Sequence, residues 1–304
     1  MKKKPAVQEF SSLYEYFEAI PDEAAAIAYF RAIRWKNGEF CPHCGHDKIY
    51  GFSDGKTWKC AQCRQRFSIR VGTIFEDSKI ELRKWFAAIW LITSHRKGVA
   101  STTLARDLKV TQKTAWFMLH RLRHAARTRS FNRPLHGIVE ADEGYFGGKE
   151  RNKHREKRGK TKKVVAIGLV ERGGELRVKP ITTTGQMKDE VLANVKPGSK
   201  LMTDEATVFI GLDTRFVHGT VNHSRGQYGD GGETHTNSIE GVWALIKRQI
   251  YGIHHFVSAK HLDRYLAEIM WRYNRRDMPD AQRLGDLLKW SDGRLTYAAL
   301  IGKA

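Results

Sequence analysis

Four residues in the second half of the chain have the types and positions that phosphoryl chemistry needs: Asp142, Asp204, Glu240 and Lys247. Asp142 closes the stretch "IVEAD" and Asp204 closes "LMTD", so each is expected at a strand end, where a sheet rim holds a carboxylate rigidly. Glu240 lies in "HTNSIEGVWALIKR", which reads as an amphipathic helix. Ile239, Val242, Trp243, Ile246 and Ile250 form its buried stripe; Asn237, Glu240 and Lys247 fall on the flank away from it, one to two turns apart. A helix packed on a sheet by that stripe can offer Glu240 to both aspartates. Three converging carboxylates repel one another unless cations sit between them, and an all-oxygen donor set favours Mg2+ or Mn2+. Two such ions, about 4 Å apart, activate the attacking oxygen and stabilise the leaving one in phosphoryl transfer. Lys247 is placed to contact a phosphate beside them. Taken singly, each acid is as well explained as a cap or a solvated charge; the three gain weight from sharing a domain. Glu143 and Glu205 each directly follow an aspartate and, on a strand, are expected to face the other way. His223 and His235 are read first as structural histidines, with an approach to the reacting phosphate as the alternative.

A second cluster is local. All four cysteines fall in "CPHCGHDKIYGFSDGKTWKCAQC". Cys41 and Cys44 form one C-x-x-C pair, Cys60 and Cys63 the other, with fifteen residues between the pairs. Two such turns close a tetrahedral four-cysteine site for a structural zinc ion, with no position left open for water. Gly45 suits the tight turn of the first pair, and Asp54-Gly55 marks a hairpin between two short strands. The spacing is that of a zinc ribbon.

Elements must position these groups. Ser12 with Glu15 and Ser78 with Glu81 both have the capping-box spacing, and Pro21-Asp22 opens another helix. Leu82, Trp85, Phe86, Ile89 and Ile92 form a core stripe on a helix reaching about His95. In "GVASTTLARDLKVTQKTAWFMLHRLRHAARTR", a short helix from Ser101, a turn at "LKV" and a second helix from about Gln112 have the helix-turn-helix arrangement. Gln112, Lys113, His120, Arg121 and Arg123 are expected on the exposed, DNA-facing side of the second helix. From Arg133 strands take over: "GIVEADEGYFGG", a hairpin at Gly173-Gly174, "SKLMTDEA" and "FVHGTVNHS", with a helix near residues 186–194 and a last long helix from Ser258. That order predicts a mixed α/β fold. The chain is divided into a helical lead-in (1–36), a zinc ribbon (37–72), a helix-turn-helix region (73–130), an α/β domain (131–285) and a C-terminal tail (286–304).

Composition points to the partner. Lys and Arg number 53 against 33 Asp and Glu, a net charge of +20 in 304 residues, which favours a polyanion, most commonly nucleic acid. No long apolar run suggests a membrane span, and the basic start "MKKKPAVQEF" lacks the apolar stretch of a signal peptide and reads as a free arm. A cytoplasmic location is expected. The basic run "KERNKHREKRGKTKK" reads as a solvated loop able to track phosphates.

Taken together, the cysteine window, "GTIFEDSKIELRKWFAAIWL", "KTAWFMLHRLRHA", "EADEGYFGG", "TDEA" and "HTNSIEGVWALIKR" followed by "HLDRYLAEIMWRYNRR" resemble the bacterial insertion-sequence DDE transposases that carry an N-terminal zinc ribbon. The resemblance spans nearly the whole chain. It implies a ribonuclease H-like catalytic domain, two-metal DNA cleavage, strand transfer by the freed 3′-hydroxyl, double-stranded element ends and target DNA as partners, action at the bacterial nucleoid, and a homo-oligomer on DNA. Asp142, Asp204 and Glu240 match the DDE triad and Lys247 the basic residue after it; some related enzymes use Asn near the third position, which leaves Asn237 as the second choice. A DNA-binding regulator that has lost activity and a nuclease that cuts without joining are the alternatives.

Overall fold

The computed structural model describes residues 10–127, 133–147, 156, 163–221 and 234–302. The N-terminal arm, nearly all of the basic run after Gly148, and His223 lie outside the described residues. Chain contacts separate two units: Met1–Thr128 together with Asp277–Ala304, and Arg129–Arg276.

The first unit begins with α1 (Leu13–Ala19) and α2 (Glu23–Arg34). Both start as their sequences suggest. The Ser12 hydroxyl accepts from the Glu15 N–H, and the Asp22 carboxylate accepts from the Ala25 N–H. A three-stranded antiparallel ribbon follows: β1 (Ile49–Gly51), β2 (Thr57–Cys60) and β3 (Arg66–Ser68). Next come α3 (Leu82–Ser94), α4 (Ser101–Leu108) and α5 (Gln112–Ala126). The turn between α4 and α5 is set by Lys109 in the left-handed region and by Thr111, whose hydroxyl caps α5 at the Thr114 N–H. Ser78 does not cap α3. Its hydroxyl instead accepts from the Trp85 indole at 3.0 Å, and the helix starts four residues later at Leu82. An aromatic core of Phe30, Phe75, Trp85 and Phe86 in edge contacts holds these helices together.

The segment assigned to a tail is helical. α9 (Asp280–Lys289) and α10 (Tyr297–Ile301) belong to the first unit, and α9 packs against α2 and α3. Ala281, Leu284, Leu287 and Leu288 supply its buried stripe. The boundary therefore falls after Arg276, not after residue 285.

The second unit is a five-stranded mixed sheet of order β6-β5-β4-β7-β8. Its strands are β4 (Ile138–Phe146), β5 (Val164–Glu171), β6 (Leu176–Ile181), β7 (Lys200–Asp204) and β8 (Val217–Val221). β4, β5 and β6 form an antiparallel meander, while β7 and β8 run parallel to β4. This is the ribonuclease H-like arrangement. One sheet face packs Val139, Ala141, Ile167 and Leu169 against α6 (Gly185–Asn194) through Met187 and Val191. The opposite face packs Phe146, Ala166, Val170, Leu176 and Val178 against α7 (Asn237–Gly252) and α8 (Ala259–Tyr273). Strand alternation thus sends residues 140, 142, 144 and 146 of β4 toward α7 and sends 139 and 141 toward α6.

Candidate functional site

The four cysteines of the ribbon converge. Their sulfurs all lie within 4.8 Å of one another, with Cys41 and Cys63 at 3.7 Å and Cys44 and Cys60 at 3.6 Å. A tetrahedral zinc with bonds of about 2.3 Å sets sulfurs about 3.8 Å apart, so the donor set fits that ion. Each knuckle is built alike. The His43 and Gln62 N–H groups donate to the Cys41 and Cys60 sulfurs. The residue after each second cysteine, Gly45 or Arg64, turns the chain at positive φ. The hairpin between the knuckles is closed by Asp54, which accepts from the Lys56 and Thr57 N–H groups.

The carboxylate site is built on the forking of two strands. The parallel ladder between β4 and β7 ends at Glu140–Met202, and Asp142 and Asp204 lie two residues beyond it at the same level. Asp204 is the last residue of β7; Asp142 lies mid-strand, because β4 continues to Phe146 along β5 alone. Asp142, Glu143 and Asp204 each bring a carboxylate oxygen within 4.8 Å of the others. This corrects the expectation that Glu143 faces away. Its carboxylate joins the group at a level where β4 no longer pairs with β7. Glu205 is exposed and stands outside this group.

Burial pushes the Asp142 carboxyl up to about 6, reinforced by the charges of Glu143 and Asp204 and opposed by hydrogen bonds from the Glu143 backbone and Trp243. Burial first, and then Asp204, raises Glu143 as well. Tyr145 sits beside Glu143, its hydroxyl 3.5 Å from the carboxylate. Three clustered oxygen donors are chemically matched to a hard divalent cation.

Helix α7 lies along β4 and is pinned at two points. The Ile239 N–H donates to Glu140 at 2.9 Å, and the Trp243 indole N–H donates to Asp142 at 3.0 Å. Glu140 is fully buried and paired with Arg172 at 2.6 Å. Arg172 also donates to the His235 carbonyl oxygen at 2.8 Å, and the His235 ring faces Arg172 at 3.0 Å, so His235 belongs to the structural lock at the start of α7. Asn237 and Glu240 are exposed in the first turn of α7, and Lys247 is exposed further along it. Glu240 precedes Trp243 by three residues and Lys247 follows it by four, so both flank the indole on the helix surface. Glu240 is not among the carboxylates within 4.8 Å of one another; its Oε1 accepts from Thr236 at 3.2 Å.

The helix-turn-helix residues divide. Gln112 and Lys113 are exposed at the start of α5; Gln112 donates to Ser101, and Lys113 lies over the Tyr297 ring at 5.2 Å. His120, Arg121 and Arg123 are buried, which corrects their expected exposure. Arg121 donates to the Ile74 and Glu76 carbonyl oxygens and stacks on Phe117. Its guanidinium thus satisfies two carbonyls of the strand-to-helix connection.

A ribonuclease H-like unit with clustered carboxylates, in one chain with a four-cysteine ribbon and a helix-turn-helix, defines a class of DNA-processing proteins. Residues 134–274 match the ISXO2-like transposase domain and residues 21–66 the transposase zinc-ribbon domain. The chain thus carries the zinc ribbon and the DDE domain of an insertion-sequence transposase. It is 28% identical over 289 residues, 88% of its own length and 96% of the other's, to an uncharacterized protein in transposable element ISH50 of Halobacterium salinarum. A crystal structure of a pre-cleavage Mos1 transpososome aligns over 69% of this chain and 80% of that one, at 12% identity and a TM-score of 0.22. Among the described residues, no helix is long and apolar enough to cross a membrane.

Proposed function

We propose that this transposase is active: that it binds the ends of its own element and cuts and joins double-stranded DNA at the site holding Asp142, Asp204 and Glu240. The supporting observation is the level placement of Asp142 and Asp204 where β4 and β7 fork, beside the helix that carries Glu240 and Lys247. Two Mg2+ or Mn2+ ions, when bound, activate the attacking oxygen and stabilise the leaving oxygen. Asp142 and Asp204 would hold them from the sheet and Glu240 from the first turn of α7. The convergence of Glu143 favours a second reading of the third donor, in which Glu143 takes the place of Glu240; Asn237, one turn earlier on the same helix, ranks behind both.

Lys247 contacts a phosphate beside the cut. Gln112 and Lys113, at the exposed start of α5, approach the element end, and the charge of +20 supplies the sequence-independent attraction. Zinc in the ribbon is structural. Pairing two ends calls for a homo-oligomer assembled on DNA, at the nucleoid in the cytoplasm.

The test uses purified protein, DNA carrying the repeats that flank the gene, a target plasmid and Mg2+ or Mn2+. Metal-dependent nicking and joining, lost in Asp204→Asn, is the expected result. Tight end binding without cutting under either metal would overturn the reading in favour of a regulator, and cutting without joining in favour of a nuclease. Loss of activity in Glu240→Gln with retention in Glu143→Gln assigns the third donor to α7; the reverse assigns it to β4.

A further inference from the structure

Trp243 belongs by periodicity to the buried stripe of α7, and a phenylalanine or leucine would fill a core as well. Three observations set it apart. Its indole N–H donates to Asp142 Oδ2 at 3.0 Å, leaving the other carboxylate oxygen uncommitted to it. The ring is only 4% exposed. The sheet is also hollowed to receive it: a Cβ built on Gly144 or on Gly168 would stand 2.7 Å from ring carbons of Trp243. Gly168 is the β5 partner of Asp142, and Gly144 is the next residue of β4 on the same face. Side chains at either position would lift the ring away from the carboxylate.

The register of the helix supports the same contact. Glu140 and Asp142 are two strand residues apart, about 6.8 Å; Ile239 and Trp243 are four helix residues apart, about 6.0 Å. The rises nearly match, so the Glu140–Ile239 contact and the Asp142–Trp243 contact form together when α7 lies along β4.

We infer that Trp243 is a positioning residue for the divalent-metal site, fixing one oxygen of Asp142 so that the carboxylate meets the cation in a single orientation. This rests on the reading of Asp142 as a metal ligand. Groups that orient a ligating side chain change metal affinity by roughly 10–100-fold when removed.

The experiment measures Mn2+ binding to the full-length, zinc-loaded protein by electron paramagnetic resonance, without DNA and without turnover. Trp243→Phe keeps an aromatic ring and removes the N–H. A second variant carries benzothienylalanine at position 243, where sulfur replaces the indole N–H in a ring of the same shape, so packing is preserved if the phenylalanine variant folds poorly. Both are expected to bind Mn2+ at least about 10-fold more weakly, with the melting transition of the sulfur variant close to wild type. Mn2+ affinity within about two-fold of wild type in the sulfur variant, whatever its stability, would overturn the inference. Asp142→Asn separates the two levels of the argument. Unchanged Mn2+ affinity there overturns the metal-ligand reading itself. Loss there beside unchanged affinity in the sulfur variant overturns only the role of Trp243.

Discussion

Gly144→Ala is expected to destabilise the second unit through a clash with a single side chain. The three heavy atoms nearest a Cβ built at this position all belong to the distal ring of Trp243, at 2.7, 2.7 and 3.0 Å. Real Cβ contacts do not come that close, so either the ring or the strand must shift. The ring cannot move freely: its N–H is held by Asp142, and its edge meets Phe146 at a centroid distance of 6.0 Å. Overpacking of this kind costs about 1–3 kcal/mol. For a domain of this size each kcal/mol moves the melting point by about 2–4 °C, so Gly144→Ala should lower the transition by roughly 2–12 °C.

The mechanism is tested by the background dependence. Trp243→Phe removes the distal ring and with it the three nearest atoms that oppose the new methyl. Alanine in a strand is otherwise favoured over glycine by about 0.5–1 kcal/mol. Gly144→Ala should therefore become neutral or mildly stabilising in the Trp243→Phe protein. A double-mutant cycle by calorimetry should return a coupling of at least about 1 kcal/mol. Equal cost in both backgrounds would refute the reasoning, since the loss would then arise from the strand and not from the notch.

Three further outcomes follow from the same structure. Asp142 keeps its proton up to about pH 6 in the native state, against about 3.9 when unfolded, so the native state binds the extra proton in that window. Stability then falls as pH rises through it and stays lower above, and Asp142→Asn, which can still accept from Trp243, should melt higher than wild type near pH 7.5 and close to it near pH 4. Calorimetry in buffers stripped of divalent ions, without a chelator that would take the ribbon zinc, checks this; a variant no more stable at pH 7.5 refutes it. In the first unit, Lys113→Ala should weaken DNA binding and flatten its salt dependence by about one counterion. Arg121→Ala should instead lower the melting point, because it frees the carbonyls of Ile74 and Glu76, and should leave the salt slope unchanged. A stable Arg121→Ala protein with a flatter slope would show that the buried guanidinium reaches DNA after all.

What can be read from the sequence is local. The zinc ribbon needs only ligand spacing and a turn, both within one short window, and the helical stripes of α3, α7 and α8 need only a period. Residues 277–304 carry a stripe of the same kind in Leu284, Leu287 and Leu288, and its spacing is the signal that locates α9. Arg121 and Arg123 defeat the reading because charge does not by itself mean exposure. Whether a guanidinium faces solvent depends on whether an irregular segment nearby has carbonyls to satisfy, and the stretch around Ile74–Glu76 announces no such need. Glu143 shows what the rule does not decide. Alternation sets the face from which a side chain leaves the strand, not where its carboxylate ends, and β4 loses its pairing with β7 after Glu140.

The same dependence on register explains why the role of Trp243 is not visible in the sequence. A hydrophobic period says that Trp243 faces the sheet but not which strand residue it meets. That pairing is decided by the Glu140 carboxylate, which takes the Ile239 N–H and so fixes where α7 begins along β4. Once that first contact is set, the matched rises of helix and strand bring the indole to Asp142, and the glycines at 144 and 168 let it approach. Two glycines facing one tryptophan are legible only after the strands are paired. In the sequence, Gly144 and Gly168 look like weak points of two strands; in the sheet they are the space that the carboxylate's hydrogen-bond donor occupies.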